Sequence, residues 1–216
     1  DVRAEAWKAA GPFGAAAVKP LAKLAESEEP GVTKAALAAI GTITAHAGRP
    51  GAPDELSAVA QALAEAVQAA GDDQLRRELL HFLGLAASDR QVSLLAGLLT
   101  DPAVGEDARI ALERIPGDAA TRALIEALRA SSEEVQVRAA DALARRGAQE
   151  AVPSLIELAQ SSGNPRVGFA CLEALGTFGV APHRVFPRRP SFTPEQRVQY
   201  VRAALDAAYR LREEGK

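Results

Sequence analysis

A ten-residue frame recurs along this chain of 216 residues and narrows its possible folds more than any other feature. The frame places an aliphatic residue first, alanine or leucine four positions on, and small or apolar residues seven and eight positions on. Glycine often follows at position nine. The instances are "VRAEAWKAAG" (Val2–Gly11), "VTKAALAAIG" (Val32–Gly41), "LRRELLHFLG" (Leu75–Gly84), "VGEDARIALE" (Val104–Glu113), "VQVRAADALA" (Val135–Ala144) and "VGFACLEALG" (Val167–Gly176). Offsets zero, four, seven and eight fall on one face of an α-helix. The frames lie about 30 residues apart, with one longer step between the second and third. A fixed period of this size marks an array of repeated supersecondary units.

A second apolar stripe follows most frames. Val18, Leu21 and Leu24 follow the first, and Val92, Leu95 and Leu98 the third. Leu124, Ala127 and Leu128 follow the fourth, and Val152, Leu155 and Leu158 the fifth. Each stripe ends near a turn-forming segment: "ESEEPG", "TDPAVG", "ASSEE" or "SSGNP". Two helices per period make a hairpin that buries its apolar face by stacking on its neighbours. Composition agrees, since aromatics make up 4% of the chain while alanine dominates. Alanine favours helix and lets helices approach closely, and strand-forming residues are scarce.

The phrases "ALARRGAQEAVPSLIELAQSS" and "IPGDAATRALIEALRASSEEVQVRAADAL" resemble short bacterial HEAT repeats, of the type also found in phycobilisome lyase-like proteins. The resemblance covers roughly residues 1–179. It implies an all-α superhelix, a HEAT-repeat solenoid of about six hairpins. It also implies a protein-binding scaffold, because such solenoids mostly serve that role.

Two stretches leave the pattern. The expected insertion spans about residues 42–71, where "GRPGAP" (48–53) forces a loop. Asp54 then reads as the N-cap of a longer helix to about Ala70. Residues 180–216 are expected to form a proline-rich loop and a C-terminal capping helix. There Thr193 is the N-cap, with Pro194 and Glu195 in the first turn. Val198, Val201, Leu205, Ala208 and Leu211 are expected to face the array. "GDD" (71–73) and "GD" (117–118) read as helix caps, with Asp118 capping the helix that contains Leu124.

The charge balance argues against a nucleic-acid binder. Net charge is −3 with mixed signs, whereas phosphate neutralisation calls for a basic excess. No apolar run is long enough to span a bilayer. The chain opens on Asp1 and contains no methionine. The natural start is therefore expected upstream, in a larger bacterial protein, and the compartment (cytoplasm, or outside after loss of a leader) stays open. The single cysteine, Cys171, excludes an intramolecular disulfide and reads as a buried, inert thiol.

No catalytic pattern, metal site or cofactor motif emerges. Iron-binding HEAT enzymes that hydroxylate hypusine precursors resemble this fold but use repeated His-Glu pairs. Here His46, His81 and His183 are followed by Ala47, Phe82 and Arg184. Trp7 reads as a side chain packed on a neighbouring hairpin, with a ligand anchor as the alternative. The segment Pro182–Phe192 sets His183, Arg184, Arg188 and Arg189 among Phe186 and Phe192, and reads as packing under the cap.

What remains is the face the repeat does not use. Offsets two and six are expected to project into the concave surface. They place there Ala4 and Lys8, Lys34 and Ala38, Arg77 and His81, Glu106 and Ile110, Val137 and Asp141, and Phe169 and Glu173. Mixed charge suits a protein or peptide partner. The leading expectation is a non-enzymatic scaffold that uses Lys34, Arg77, His81, Arg109, Arg138 and Asp141 and needs no cofactor. The resemblance leaves two alternatives. One is a tetrapyrrole lyase-like or chaperone-like helper, for which Ile110, Val137 and Phe169 supply apolar lining. The other is a HEAT-type DNA-repair protein.

Overall fold

Helices account for nearly all of the computed structural model, which describes residues 6–130, 132–185 and 193–213; no strand occurs among them. The chain forms two compact units, residues 1–116 and 117–216. The first holds α1 (Ala15–Leu24), α2 (Pro30–Ala47), α3 (Pro53–Ala69), α4 (Asp73–Ala86), α5 (Val92–Leu98) and α6 (Gly105–Arg114). The second holds α7 (Asp118–Ala127), α8 (Glu133–Arg146), α9 (Val152–Ser161), α10 (Pro165–Thr177), the single turn α11 (Pro182–Val185) and α12 (Pro194–Glu213).

From the second frame on, the frames are the even-numbered helices, and the second stripes are odd-numbered. Within the first unit α2 packs on α4 and α4 on α6, while α1 packs on α3 in the other layer. Within the second unit α8 packs on α10 and α10 on α12, with α7 and α9 alongside α8 and α10. This is the expected superhelical hairpin fold. The first frame differs: its described part, Ala6–Ala9, is a single 3-10 turn, followed by another at Gly11–Phe13. Pro12 falls in the first turn of the second 3-10 segment, where its missing N–H costs nothing.

The frame rule locates the core. Leu75, Leu79 and Leu83 on α4, Val104 just ahead of α6 with Ala108, Ala111 and Leu112 on it, and Val135, Ala139, Ala142 and Leu143 on α8 are all buried. So are Val167, Cys171, Ala174 and Leu175 on α10. Offset five is buried as well, at Leu80, Arg109, Ala140 and Leu172. A frame helix is held from two sides, by its hairpin mate and by the next frame helix, so its apolar arc is wider than one stripe.

The glycine at offset nine marks where frame helices meet. A Cβ built on Gly84 of α4 would stand 3.2 Å from Ala111 Cα and 3.3 Å from Ala111 Cβ on α6. On Gly41 of α2 it would stand 3.1 Å from Phe82 Cε1 on α4. On Gly11 it would stand 2.9 Å from His46 Cβ. These glycines are spacers: Gly84 admits the neighbouring backbone, and Gly41 and Gly11 admit a neighbouring side chain.

Capping follows the sequence in part. Asp72 accepts from the Leu75 N–H at 2.8 Å and starts α4, and Asn164 accepts from the Arg166 N–H at 2.8 Å to start α10. Asp54 and Asp118 are corrected. Asp54 lies inside the first turn of α3, after Ala52 and Pro53, and Asp118 is the first residue of α7, after Gly117 at φ 84°. Both carboxylates still sit at the positive end of a helix dipole. The expected insertion adds no separate element: it extends α2 to Ala47 and lengthens α3 to 17 residues. The stretch after Gly176, expected to be non-helical, makes the turn α11, with Pro182 in its first position. Phe186–Phe192 lies outside the described residues.

A second correction concerns α12. It packs on α10, but Val198, Val201, Leu205 and Ala208 are exposed rather than turned to the array. The side chain of Leu211 lies outside what is described. α12 carries apolar residues around more than one side, so periodicity alone did not select the packed one.

The α4–α6 step also carries an ion pair. Arg76 Nη2 donates to Asp101 Oδ2 at 2.7 Å, and the Ala103 N–H donates to Asp101 Oδ1 at 2.9 Å. Arg76 foremost, then that backbone N–H, hold the Asp101 carboxyl below the usual range. A depressed carboxylate contributes stability above its ordinary value, about 3.9, and loses it as pH falls further. Solvent reaches 25% of the Asp101 side chain, so screening limits the pair. Asp101→Asn is expected to cost about 1 kcal/mol at neutral pH, with the gap to wild type closing in acid. Urea unfolding at several pH values checks both.

Candidate functional site

Lys34 on α2 and Arg77 and His81 on α4 are exposed. They are the expected site residues that the first unit presents to solvent. Arg77 is not loose: its Nε donates to the Ala103 carbonyl at 3.0 Å and its Nη1 to Gln74 Oε1 at 3.3 Å. The guanidinium is therefore held over the turn ahead of α6. Asp107 on α6 lies within electrostatic reach of Arg77 and Glu78. Burial pushes its carboxyl up from the usual range, and Arg77 opposes that shift. His81 stands edge-on to Phe82, ring centroids 5.6 Å apart.

Arg109 is a correction. Only 5% of its side chain is exposed. Its Nε and Nη2 donate to Glu106, at 2.7 Å for the shortest contact, and its Nη1 donates to Glu113 Oε2 at 2.6 Å. The reason is positional: offset five is buried at Leu80, Ala140 and Leu172 too, and Arg109 fills it with its stem while acids one turn to either side hold the charge. It braces α6 and does not present itself to a partner. In the second unit Arg138 is 13% exposed and reaches Glu134 at 3.6 Å, while Asp141 accepts from Arg145 Nε at 3.1 Å. Phe169, expected in the groove, is buried.

Sequence reasoning missed an open cavity of the first unit. This open groove of about 1040 Å³ lies on α1 and α2 and is lined mainly by Trp7, Phe13, Leu21, Leu24, Val32 and Ala36, with Glu29 at its edge. Phe13 is 67% and Leu24 52% exposed. Trp7 is half-buried, with Lys8 Nζ 5.8 Å from its ring centroid. The available signal was the run of large apolar residues that follows the least helical frame, Phe13, Leu21 and Leu24.

Cys171 is buried, its thiol pushed up to about 12 by burial. Among the described residues no group of three His, Cys, Asp or Glu is placed to hold a metal ion. None of the described helices is long and apolar enough to cross a membrane.

Comparison with known sequences and structures fits this geometry. The sequence family described as HEAT repeats matches residues 121–208, which fall within the second unit. The chain resembles part of Kap121p in its crystal structure bound to Nup53p, at 15% identity and a TM-score of 0.54. That match covers 92% of this chain and 23% of Kap121p, and it supports the fold. An engineered protein is 21% identical with a TM-score of 0.44, covering 89% of this chain and 58% of its own. Human deoxyhypusine hydroxylase in complex with glycerol is 18% identical with a TM-score of 0.38, covering 90% of this chain and 97% of the enzyme. No curated protein sequence matches the chain.

Proposed function

We propose that this chain is a non-enzymatic protein-interaction module whose frame helices present a partner-binding surface. The observation that carries the reading is that Lys34, Arg77 and His81 occupy frame offsets the stack does not use and stay in solvent. Arg77 is also pre-positioned by the Ala103 carbonyl. Held cations lose little entropy on meeting a carboxylate, which favours recognition of a peptide or protein surface carrying acidic residues. The HEAT repeats of residues 121–208 support the reading. So does the likeness of fold to Kap121p, a structure solved with Nup53p bound. In the second unit Arg138 and Asp141 are the residues proposed to share the role.

The test is capture of partners from native lysate with wild type and with Lys34→Glu/Arg77→Glu. Both positions are exposed, so helicity should match wild type, while the melting temperature falls slightly with loss of the Arg77–Ala103 contact. Recovery of a specific partner should fall at least about tenfold, the equivalent of about 1.4 kcal/mol. Unchanged recovery by a folded variant removes this surface from the proposal.

A further inference from the structure

The geometry points to head-to-tail self-association, with the outer face of α12 of one copy seated in the α1–α2 groove of the next. The exposed residues of α12 gather on one arc. Val198, Val201, Leu205, Ala208 and Tyr209 follow helical spacing, and their neighbours Arg197, Arg202 and Arg212 are exposed as well. Val198 is 68%, Val201 54%, Leu205 56% and Tyr209 68% exposed, so this face has no cover among the described residues. A stripe at spacing i, i+3, i+7 and i+11 is what an amphipathic helix lays into an apolar groove.

The α1–α2 groove has the complementary chemistry. Its floor is apolar, with Phe13 and Leu24 open to solvent. One edge runs into the turn "ESEE", where Glu28 and Glu29 are exposed and Glu26 is paired with Lys23. The basic residues beside the α12 stripe match that acidic edge in sign, which sets orientation and disfavours pairing of either face with itself. A second copy of this chain therefore supplies an occupant of fitting polarity and charge. Because the two faces differ, the contact is heterologous, each copy offering a groove and a stripe. One helix on one groove is a small interface, so the association is weak and concentration-dependent. The inference is independent of the partner surface proposed on α2 and α4.

Sedimentation velocity on the full chain tests it. Wild type should grow from 22.5 kDa with concentration. Leu24→Lys blocks the groove and Leu205→Glu blocks the stripe, each by repulsion of its expected neighbour. Each variant alone should stay monomeric at concentrations where wild type associates, a weakening of at least about tenfold. An equimolar mixture retains one intact groove and one intact stripe, so it should form a one-to-one dimer and stop there. Phe13→Lys and Tyr209→Glu, at sites 67% and 68% exposed, repeat the test should either first variant lose helicity. Wild type that stays monomeric into the millimolar range overturns the inference. So does a single variant that still dimerises, since a face would then pair with itself, or a mixture that does not.

Discussion

Gly84→Leu is expected to destabilise the first unit by about 3 kcal/mol or more, the upper range for overpacking a close contact. A leucine Cβ there would begin 3.2 Å from the Cα of Ala111, and backbone cannot rotate aside as a side-chain tip can. The rest of the side chain would then have to push α6 away from α4. Helix propensity argues the other way, since glycine inside a helix costs about 1 kcal/mol relative to alanine. The steric term is larger, so it decides the sign. Gly97→Ala isolates the propensity term: Gly97 lies in α5, and a Cβ there meets nothing within 4 Å. That variant should gain up to about 1 kcal/mol. Chemical unfolding followed by circular dichroism reads both, and a stable Gly84→Leu would refute the spacer role of the frame glycine.

The neighbouring residues give the second large effect. Leu83 is fully buried on α4, while Leu85, two positions on in the same helix, is 57% exposed. Leu83→Ala should cost roughly 2–5 kcal/mol, from lost burial and the cavity left behind. Leu85→Ala should stay within about 0.5 kcal/mol of wild type. With total stabilities commonly about 5–15 kcal/mol, the first change alone is expected to shift the unfolding midpoint well below that of wild type. Equal losses at the two leucines would mean that frame offset does not govern packing.

Much of the fold was legible because the repeat states the same rule several times. Offsets zero, four, seven and eight on α4, α6, α8 and α10 are almost all buried, with Phe82 half-buried. What the rule did not reveal has one physical cause. Frame spacing describes a helix touching one neighbour, whereas a stacked helix touches two. Hence Arg109, at an offset that looked like a flank, lies inside between Glu106 and Glu113. Likewise α12 meets α10 without using the stripe of Val198, Val201 and Leu205. The candidate surface was read more unevenly. Lys34, Arg77 and His81 stand in solvent, while Phe169 is buried and Arg138 is mostly covered. The groove under Trp7 and Phe13 escaped notice because no repeated pattern marks a place where the repeat is interrupted.

The offset-nine spacing has a consequence for how such a chain can be rearranged. Gly41 leaves room for the ring of Phe82, whereas Gly84 leaves room for the backbone and methyl group of Ala111. Each frame is thus cut to fit its successor, and the fit differs from one junction to the next. Exchanging the third and fourth frames would set the Phe82 ring against a neighbour other than Gly41 and part Gly84 from Ala111. Units that look interchangeable by pattern are therefore tied to one order, with each junction matched to a particular pair.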